Sequence, residues 1–593
     1  MGIAPELARA HLNVGNIRWA LGDVPGAVLA YKSAITLDPA YGGAHFNLGK
    51  LLHETRGPEF AIGYYRNAAN CNPDFADAVI ALGNAFYEMG AFARAEACYQ
   101  TAIEIQPAYG QAFGNLGNTY VQMKRPDLAG AAFRKMLEIL PESGHAGAHA
   151  YQCDQDSCDW QRRLEHQQRL VRLVEQGAPD ILPSVILTLD PGVPEPGQFG
   201  KSAGANFAKS ASAGIEALTL PQPTSKPALR VGYLSSEFHD CALTRAALGV
   251  FEAHDTRAFG VYLYSYGTTH DEATDALRTS CMRFHDLAEM TDGDAAACIA
   301  RDEIDILVDL NGYDDGFRLG IVARRPAPVI VRWLGYPGTM GASKLVDYFI
   351  GDSIISPVVR AGEFSEHLAL LPASFRPASV GRLPQASPTR TDCGLPESGF
   401  VFCCFASIGK FVPELLDSWC RILRLVPASV LWMSEPQTRA QSNLLRECAA
   451  RGVDAARLVF APRLSYQNHI ARLRNASMVL DTFPSNSVAS TCEALSLGIP
   501  VVTRVGDTAA CRISASVLTA LEVPELIAHE VDEYVDTAVA YARDAQKAVE
   551  LRGKISANRA RAPHFDCVRF TKDLEELYRR MWEAAVADGT TAG

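Results

Sequence analysis

Four prolines recur at a spacing of 34 residues, at Pro39, Pro73, Pro107 and Pro141, and each closes a segment carrying the same internal marks. The third segment reads Leu82-Gly83, Phe86, Ala95, Tyr99 and Ala102; the fourth reads Leu116-Gly117, Tyr120, Ala129, Phe133 and Leu137 at the same offsets. The second has Leu48-Gly49, Leu52, Ala61, Tyr65 and Ala68, and the first has Val14-Gly15, Ala27, Tyr31 and Ala34. Small residues let two antiparallel helices touch, an aromatic fills the groove between them, and proline ends the second helix. One such hairpin cannot bury its apolar face alone, so consecutive copies must stack into a right-handed α-solenoid with a concave inner surface.

The offsets are those of the tetratricopeptide repeat, a scaffold for extended protein ligands. Asparagines sit at matching places in the first helices: Asn13, Asn47 and Asn115 at one offset, and Asn16, Asn84 and Asn118 three residues later. A carboxamide both donates and accepts, so rows of them along the inner face can grip a peptide backbone without reading its side chains. Asn13, Asn47, Asn84, Asn115 and Asn118 are therefore expected to bind a protein acceptor. Asparagine is also simply tolerated near a tight helical turn, and the spacing does not separate the two readings.

With 593 residues the chain is too long for one core, and the solenoid leaves room for two or three ordinary domains. A net charge of −12 argues against a broad nucleic-acid surface. The fifteen cysteines are odd in number and scattered, and they read as reduced thiols of a cytoplasmic protein. The chain starts directly in the first repeat, with no leader and no apolar run of bilayer length, so no membrane partner is expected. A polar helical stretch spans Trp160 to Gln176, and a Pro-, Gly-, Ser- and Ala-rich passage from Pro191 to Pro227 has the composition of a flexible tether.

Beyond it, short β-rich runs alternate with amphipathic helical segments. Arg230 to Leu234, Val261 to Ser265, Ile304 to Leu310 and Val329 to Leu334 form one group. Phe400 to Phe405, Val430 to Met433, Leu458 to Phe460, Met478 to Leu480 and Pro500 to Thr503 form another. Runs apolar on both faces and separated by helices predict parallel sheets, with a cleft at the carboxyl ends of the strands. The expected division is repeats over 1–145, a helical linker and tether over 146–228, α/β lobes over 229–385 and 386–563, and a terminal helix over 564–593. In the second lobe, Leu480 to Glu493 reads as strand, turn and helix start. That is equally an ordinary capped helix and a pyrophosphate site, with Glu493 placed for ribose hydroxyls. Lys410 occupies a similar strand-to-helix turn, where a lysine can neutralise charge on a departing diphosphate, although lysines in loops are usually just solvated.

Arg230-Val231-Gly232-Tyr233-Leu234-Ser235-Ser236, Asp309-Leu310-Asn311-Gly312-Tyr313, Arg325-Pro326-Ala327-Pro328 and Trp333-Leu334-Gly335-Tyr336-Pro337-Gly338-Thr339, with Asp347-Tyr348, resemble the O-GlcNAc transferase and SPINDLY family of glycosyltransferases. Ser429-Val430-Leu431-Trp432, Leu480-Asp481-Thr482-Phe483-Pro484, Tyr578 and Trp582 extend the likeness over nearly all of 229–585. The resemblance implies a GT-B fold of two Rossmann-like lobes. It implies transfer of a sugar from a nucleotide donor to Ser or Thr of a protein, with inversion and with neither metal nor cofactor. Lys410 matches the family's diphosphate-binding lysine, Glu493 its ribose carboxylate, and His469 and Arg472 the pair beside the nucleotide. Gly335 and Tyr336 match the loop approaching the donor sugar.

Two departures stand out. The family's active-site histidine is replaced by Cys241, which leaves His239 or Asp240 as the acceptor-side base. The helix start reads Ser487-Val488-Ala489-Ser490-Thr491, poorer in hydroxyls than its relatives, with Ser490 and Thr491 left to meet the donor phosphate. Fewer hydroxyls suit a donor with one phosphate, such as a CMP-linked nonulosonic acid, ahead of UDP-GlcNAc or a GDP-sugar. That points to the bacterial branch that modifies flagellin. The rival reading is a degenerate enzyme kept as a repeat-bearing adaptor.

Overall fold

Glycine against an aromatic ring is the contact that builds each repeat. A Cβ on Gly49, Gly83 or Gly117 would come within 2.8, 2.7 and 2.8 Å of the rings of Tyr65, Tyr99 and Phe133, and those rings are buried to 2% exposure or less. The computed structural model describes residues 3–189, 193–378 and 387–591. Its first compact unit, Met1–Asp156, pairs helices Ile3–Ala20 with Val24–Leu37, Gly42–Arg56 with Pro58–Cys71, Ala76–Glu88 with Phe92–Ile105, and Gly110–Gln122 with Pro126–Ile139. A ninth helix, Gly144–Asp156, belongs to this unit and not to the linker expected from 146 onward. Its Ala146, Ala150 and Cys153 close the apolar face of the last repeat, which explains why the unit runs past the last proline.

The second unit, Ser157–Gly593, holds two parallel sheets. The first contains β1 (Leu229–Ser235), β2 (Phe259–Ser265), β3 (Arg283–Asp286), β4 (Ile306–Asp309), β5 (Val329–Arg332), β6 (Tyr348–Asp352) and β7 (His367–Leu371) in the order β3-β2-β1-β4-β5-β6-β7. The second contains β8 (Phe400–Cys404), β9 (Ser429–Ser434), β10 (Leu458–Ala461), β11 (Met478–Leu480), β12 (Val501–Arg504) and β13 (Ile527–Ala528), ordered β10-β9-β8-β11-β12-β13. Both are doubly wound, and the order reverses between β1 and β4 and between β8 and β11. Ligands of such sheets bind at those reversals, outside the carboxyl ends of the strands. An α-solenoid followed by two Rossmann-like domains is the architecture the repeats and strand runs imply.

The tether reading needs correction. Pro191 lies outside the described residues, but a large part of the passage after it is a helix, Pro196–Ala211, packed on the first lobe. Its Gly204 stands so close to Met340 that a Cβ would meet the backbone carbonyl at 3.0 Å, and Phe207 packs edge-on against Tyr313 at 5.3 Å. The small residues that suggest flexibility are a close-packing face. The boundary expected at 385/386 lies outside the described residues. The terminal helix, Cys567–Thr591, buries Phe570, Leu574, Tyr578 and Trp582 in the core of the first sheet, and Tyr578 shares a hydroxyl contact of 3.1 Å with Tyr233. No helix among the described residues is long and apolar enough to cross a membrane.

Candidate active site

At the reversal in the second sheet, β8 runs into the short turn Ile408–Lys410 and β11 runs through Asp481 into the helix Val488–Ser496. The half-buried Lys410 joins the two turns, its Nζ donating to Asn486 O at 2.5 Å. Asp481 lies beneath them at 2% exposure, accepting from Ser487 N at 2.8 Å and from Thr503 Oγ1 at 2.7 Å. Burial pushes the lysine down from its ordinary value, and the Asp481 and Asp314 carboxylates hold it up. Burial likewise raises Asp481. A cation over a buried anion, at the mouth of a helix, is a socket for phosphate.

His469, Arg472 and Glu493 come together beside it. His469 Nε2 lies 3.7 Å from Glu493 Oε2, and its ring meets Phe405 edge-on at 4.8 Å. Arg472 donates to His469 Nδ1 at 3.2 Å and to Pro462 O at 2.6 Å, with its guanidinium over Phe405. The two hydroxyls expected at the phosphate part company. Ser490 is half-buried and accepts from Ser487 Oγ at 3.2 Å, which brings in Ser487, a residue the sequence pattern did not single out. Thr491 is fully buried, with Oγ1 2.9 Å from Ser514 Oγ, so its side chain faces the core and its donor-binding role is withdrawn.

Beside the reversal in the first sheet, the loop after β5 is held from below. Arg332 is fully buried, and its guanidinium donates to the carbonyls of Asp309, Trp333, Asn311, Leu334 and Tyr336 at 2.6 to 3.3 Å. Gly335 adopts φ +29° directly above it, where a Cβ would strike Leu310 O. Tyr336 is corrected: its ring is 1% exposed and packs against Tyr313 at 5.5 Å, so only its backbone is offered to a ligand. Arg332 went unnoticed in the sequence, although an arginine ending a strand apolar on both faces was a signal.

The loop after β1 carries the other catalytic expectations. Asp240 is exposed and accepts from Arg245 at 2.5 Å, and Arg245 in turn lies 3.6 Å over Tyr466 of the second lobe. The Asp240 carboxylate is thus ion-paired with the arginine that reaches the second lobe and is itself open to solvent. His239 is half-buried and its Nδ1 has no partner among the described residues. Cys241 caps the helix Ala242–Ala253, donating to Glu237 O at 3.3 Å and accepting from Thr244 N at 3.5 Å, and burial raises its thiol. Asp314, after β4, was not anticipated. It is half-buried, and burial pushes its carboxyl up to about 6, against the pull of Arg332 and Lys410.

In the repeat unit the asparagines are partly spent on each other. Asn16 Oδ1 accepts from Tyr31 at 2.8 Å and from Asn47 at 2.9 Å, and Asn84 Oδ1 accepts from Tyr99 at 2.7 Å and from Asn115 at 3.0 Å. Asn118 Oδ1 lies 3.2 Å from His145 Nε2, while Asn13 is exposed. The rows exist, and they also tie one repeat to the next. A groove of about 740 Å³ opens beside Asn84, with Lys50, Glu54, Asp77 and Tyr109 on its walls.

Comparison with known proteins agrees with this layout. Tetratricopeptide repeat models match residues 15–55, 83–124 and 110–142. The probable UDP-N-acetylglucosamine–peptide N-acetylglucosaminyltransferase SEC of Arabidopsis thaliana is 33% identical over 362 residues, 60% of this chain and 37% of that protein. The Caenorhabditis elegans UDP-N-acetylglucosamine–peptide N-acetylglucosaminyltransferase is 27% identical over 60% of this chain and 41% of that protein. The chain thus spans less than half the length of these relatives. A lysine-to-methionine mutant of the Thermobaculum terrenum O-GlcNAc transferase superposes with a TM-score of 0.66 at 28% identity, covering 94% of this chain and 99% of that one. Since the match to its family description, over residues 157–383 and 376–574, takes in both sheets and every loop at their reversals, the chain belongs to glycosyl transferase family 41.

Proposed function

We propose that this protein transfers a sugar from a nucleotide-sugar donor to a Ser or Thr hydroxyl of a protein client held by its repeats. The observation that carries the reading is Lys410: a half-buried cation at the strand reversal of the second sheet, backed by Asp481 and bonded to the turn that opens the helix Val488–Ser496. A leaving diphosphate develops charge where that ammonium stands. His469, Arg472 and Glu493 bind the nucleoside end, and Ser490 with Ser487 meets the phosphate. The asparagine rows and the neighbouring groove hold the client backbone. Inversion without a metal or cofactor, a cytoplasmic setting and a bacterial flagellin client belong to the same reading.

Two donors compete. The names of the relatives favour UDP-N-acetylglucosamine. Burial of Thr491 leaves the helix start even poorer in hydroxyls, which favours a donor with one phosphate, a CMP-linked nonulosonic acid. Calorimetry with UDP, GDP and CMP decides between them, followed by mass spectrometry of a co-expressed flagellin. Heat from UDP and an added N-acetylhexosamine select the first donor, and heat from CMP with a nonulosonate mass selects the second. Silence with all three nucleotides supports the adaptor reading and overturns the transferase.

A further inference from the structure

With the family histidine replaced by Cys241, the proton acceptor must be another group beside the loop after β1, where the Nδ1 of His239 has no partner among the described residues. Cys241 is committed to capping a helix, and Asp240 to the bridge through Arg245. Asp314 differs from both. Its carboxylate takes part in no hydrogen bond or ion pair among the described residues, yet it is half-buried at the reversal between β1 and β4, where a doubly wound sheet meets its ligand. The loop that carries it is fixed: Asn311 Oδ1 accepts from Ser235 Oγ at 2.9 Å and from Ser236 N at 3.0 Å, while Asn311 Nδ2 donates to Ser236 Oγ at 2.7 Å. The charged groups that face Asp314 are Arg332, Asp315 and Glu237 of its own lobe and Lys410 of the other, with the Tyr336 hydroxyl nearby. Asp314 thus sits on a loop that Asn311 ties to the loop after β1, within electrostatic reach of the lysine assigned to the leaving phosphate.

Resting on the transferase reading above, we infer that Asp314 is the general base that takes the proton from the acceptor Ser or Thr hydroxyl. The hydroxyl oxygen forms its bond to the anomeric carbon as the bond from that carbon to the phosphate oxygen breaks. The proton passes to Asp314, and the electron pair leaves with the nucleotide phosphate, which Lys410 neutralises. A carboxyl held near 6 is ionised at neutral pH and is far more basic than an ordinary aspartate, as proton abstraction requires.

The test is the pH dependence of sugar transfer in full-length Asp314→Asn, with nucleotide affinity followed in parallel by calorimetry. Wild-type turnover is expected to rise through about pH 6 to a plateau. Asp314→Asn is expected to lose about 100-fold or more in kcat and to lose that acid limb, with nucleotide affinity unchanged. Asp315→Asn removes an equal charge one residue away and keeps the limb. If the asparagine variant is too unstable to assay, Asp314→Ala rescued by added formate serves the same purpose. Full turnover with the acid limb intact in Asp314→Asn, or a limb that survives there and vanishes in His239→Gln, overturns the assignment while leaving the transferase standing. A wild-type chain that binds a nucleotide but modifies no protein overturns both.

Discussion

The two sheets share a strand order but arm their reversals with opposite charges. In the second, a half-buried ammonium at the surface, Lys410, sits over a buried carboxylate, Asp481. In the first, a half-buried carboxylate, Asp314, is drawn toward its charged form by a buried guanidinium, Arg332. Each surface group is pushed by burial toward its neutral form and restrained by the buried ion. A cation paired with its counter-ion would be neutralised, but one whose counter-ion lies below keeps its open side for a ligand of opposite charge. The two reversals thus present opposite electrostatic signs, and on the transfer reaction proposed above the leaving group would meet one and the proton the other.

The comparison breaks most easily at Arg332. Three of its five backbone bonds hold the loop Trp333 to Tyr336 and two reach Asp309 and Asn311, so Arg332→Leu leaves buried carbonyls unsatisfied and Asp314 without its counter-charge. A loss of about 4 kcal/mol in stability is expected from urea unfolding. A loss under about 1 kcal/mol would mean that the loop holds itself. Next comes Lys410→Ala, which should keep the melting temperature within a few degrees while raising the barrier to transfer by on the order of 3 kcal/mol. Unchanged turnover would place leaving-group stabilisation elsewhere and end the division of labour between the lobes.

Asp314 supplies an effect of opposite sign. Its folded carboxyl titrates at about 6 against an ordinary 3.8, so the folded state holds the proton more tightly than the unfolded chain does. Stability is therefore lost as pH climbs from about 4 through 6, and Asp314→Asn, which never charges, avoids that loss. The variant should be more stable than wild type by on the order of 2 kcal/mol at pH 8 and equal to it near pH 4, read from paired denaturant curves. Gain in stability with loss of turnover marks strain retained for function. Destabilisation at pH 8 would show that Arg332 needs that charge.

Local patterns in the chain reveal much of this and hide the rest for physical reasons. The repeats are legible because Gly83 and Tyr99 must be complementary in every copy, and the central strands because both of their faces are apolar. The edge strands β3, β7 and β13 escape notice, as does β6 beside β7: three of the four residues of Arg283–Asp286 are polar, and Ile527–Ala528 is two residues long. The Pro196–Ala211 helix escapes because alanine and glycine serve both tethers and tight packing. Lys410, His469, Arg472 and Glu493 are found through motif. Arg332 and Asp314 are not, since no spacing rule states that a guanidinium turns inward or that a loop carboxylate loses its water. Thr491 shows the converse: a hydroxyl at a helix start that the tertiary fold turns into the core.

The contrast at that helix start carries the smallest and sharpest prediction. Ser490 and Thr491 are neighbours there, but a turn of about 100° per residue sends their side chains to different faces. Ser490 is half-buried beside Ser487, while Thr491 pairs with Ser514 out of reach of a ligand. Ser490→Ala should weaken nucleotide binding by about fivefold, the equivalent of one hydrogen bond of about 1 kcal/mol. Thr491→Val is nearly isosteric and should leave nucleotide affinity unchanged, its cost appearing only as about 1 kcal/mol or less of stability from the lost bond to Ser514, which keeps its bond to Asp481. Equal losses of affinity in the two variants would mean that the helix turns on binding, and that the second reversal offers more hydroxyls than Ser487 and Ser490. The case for a donor with a single phosphate would then fall, while the cation over its buried carboxylate would stand.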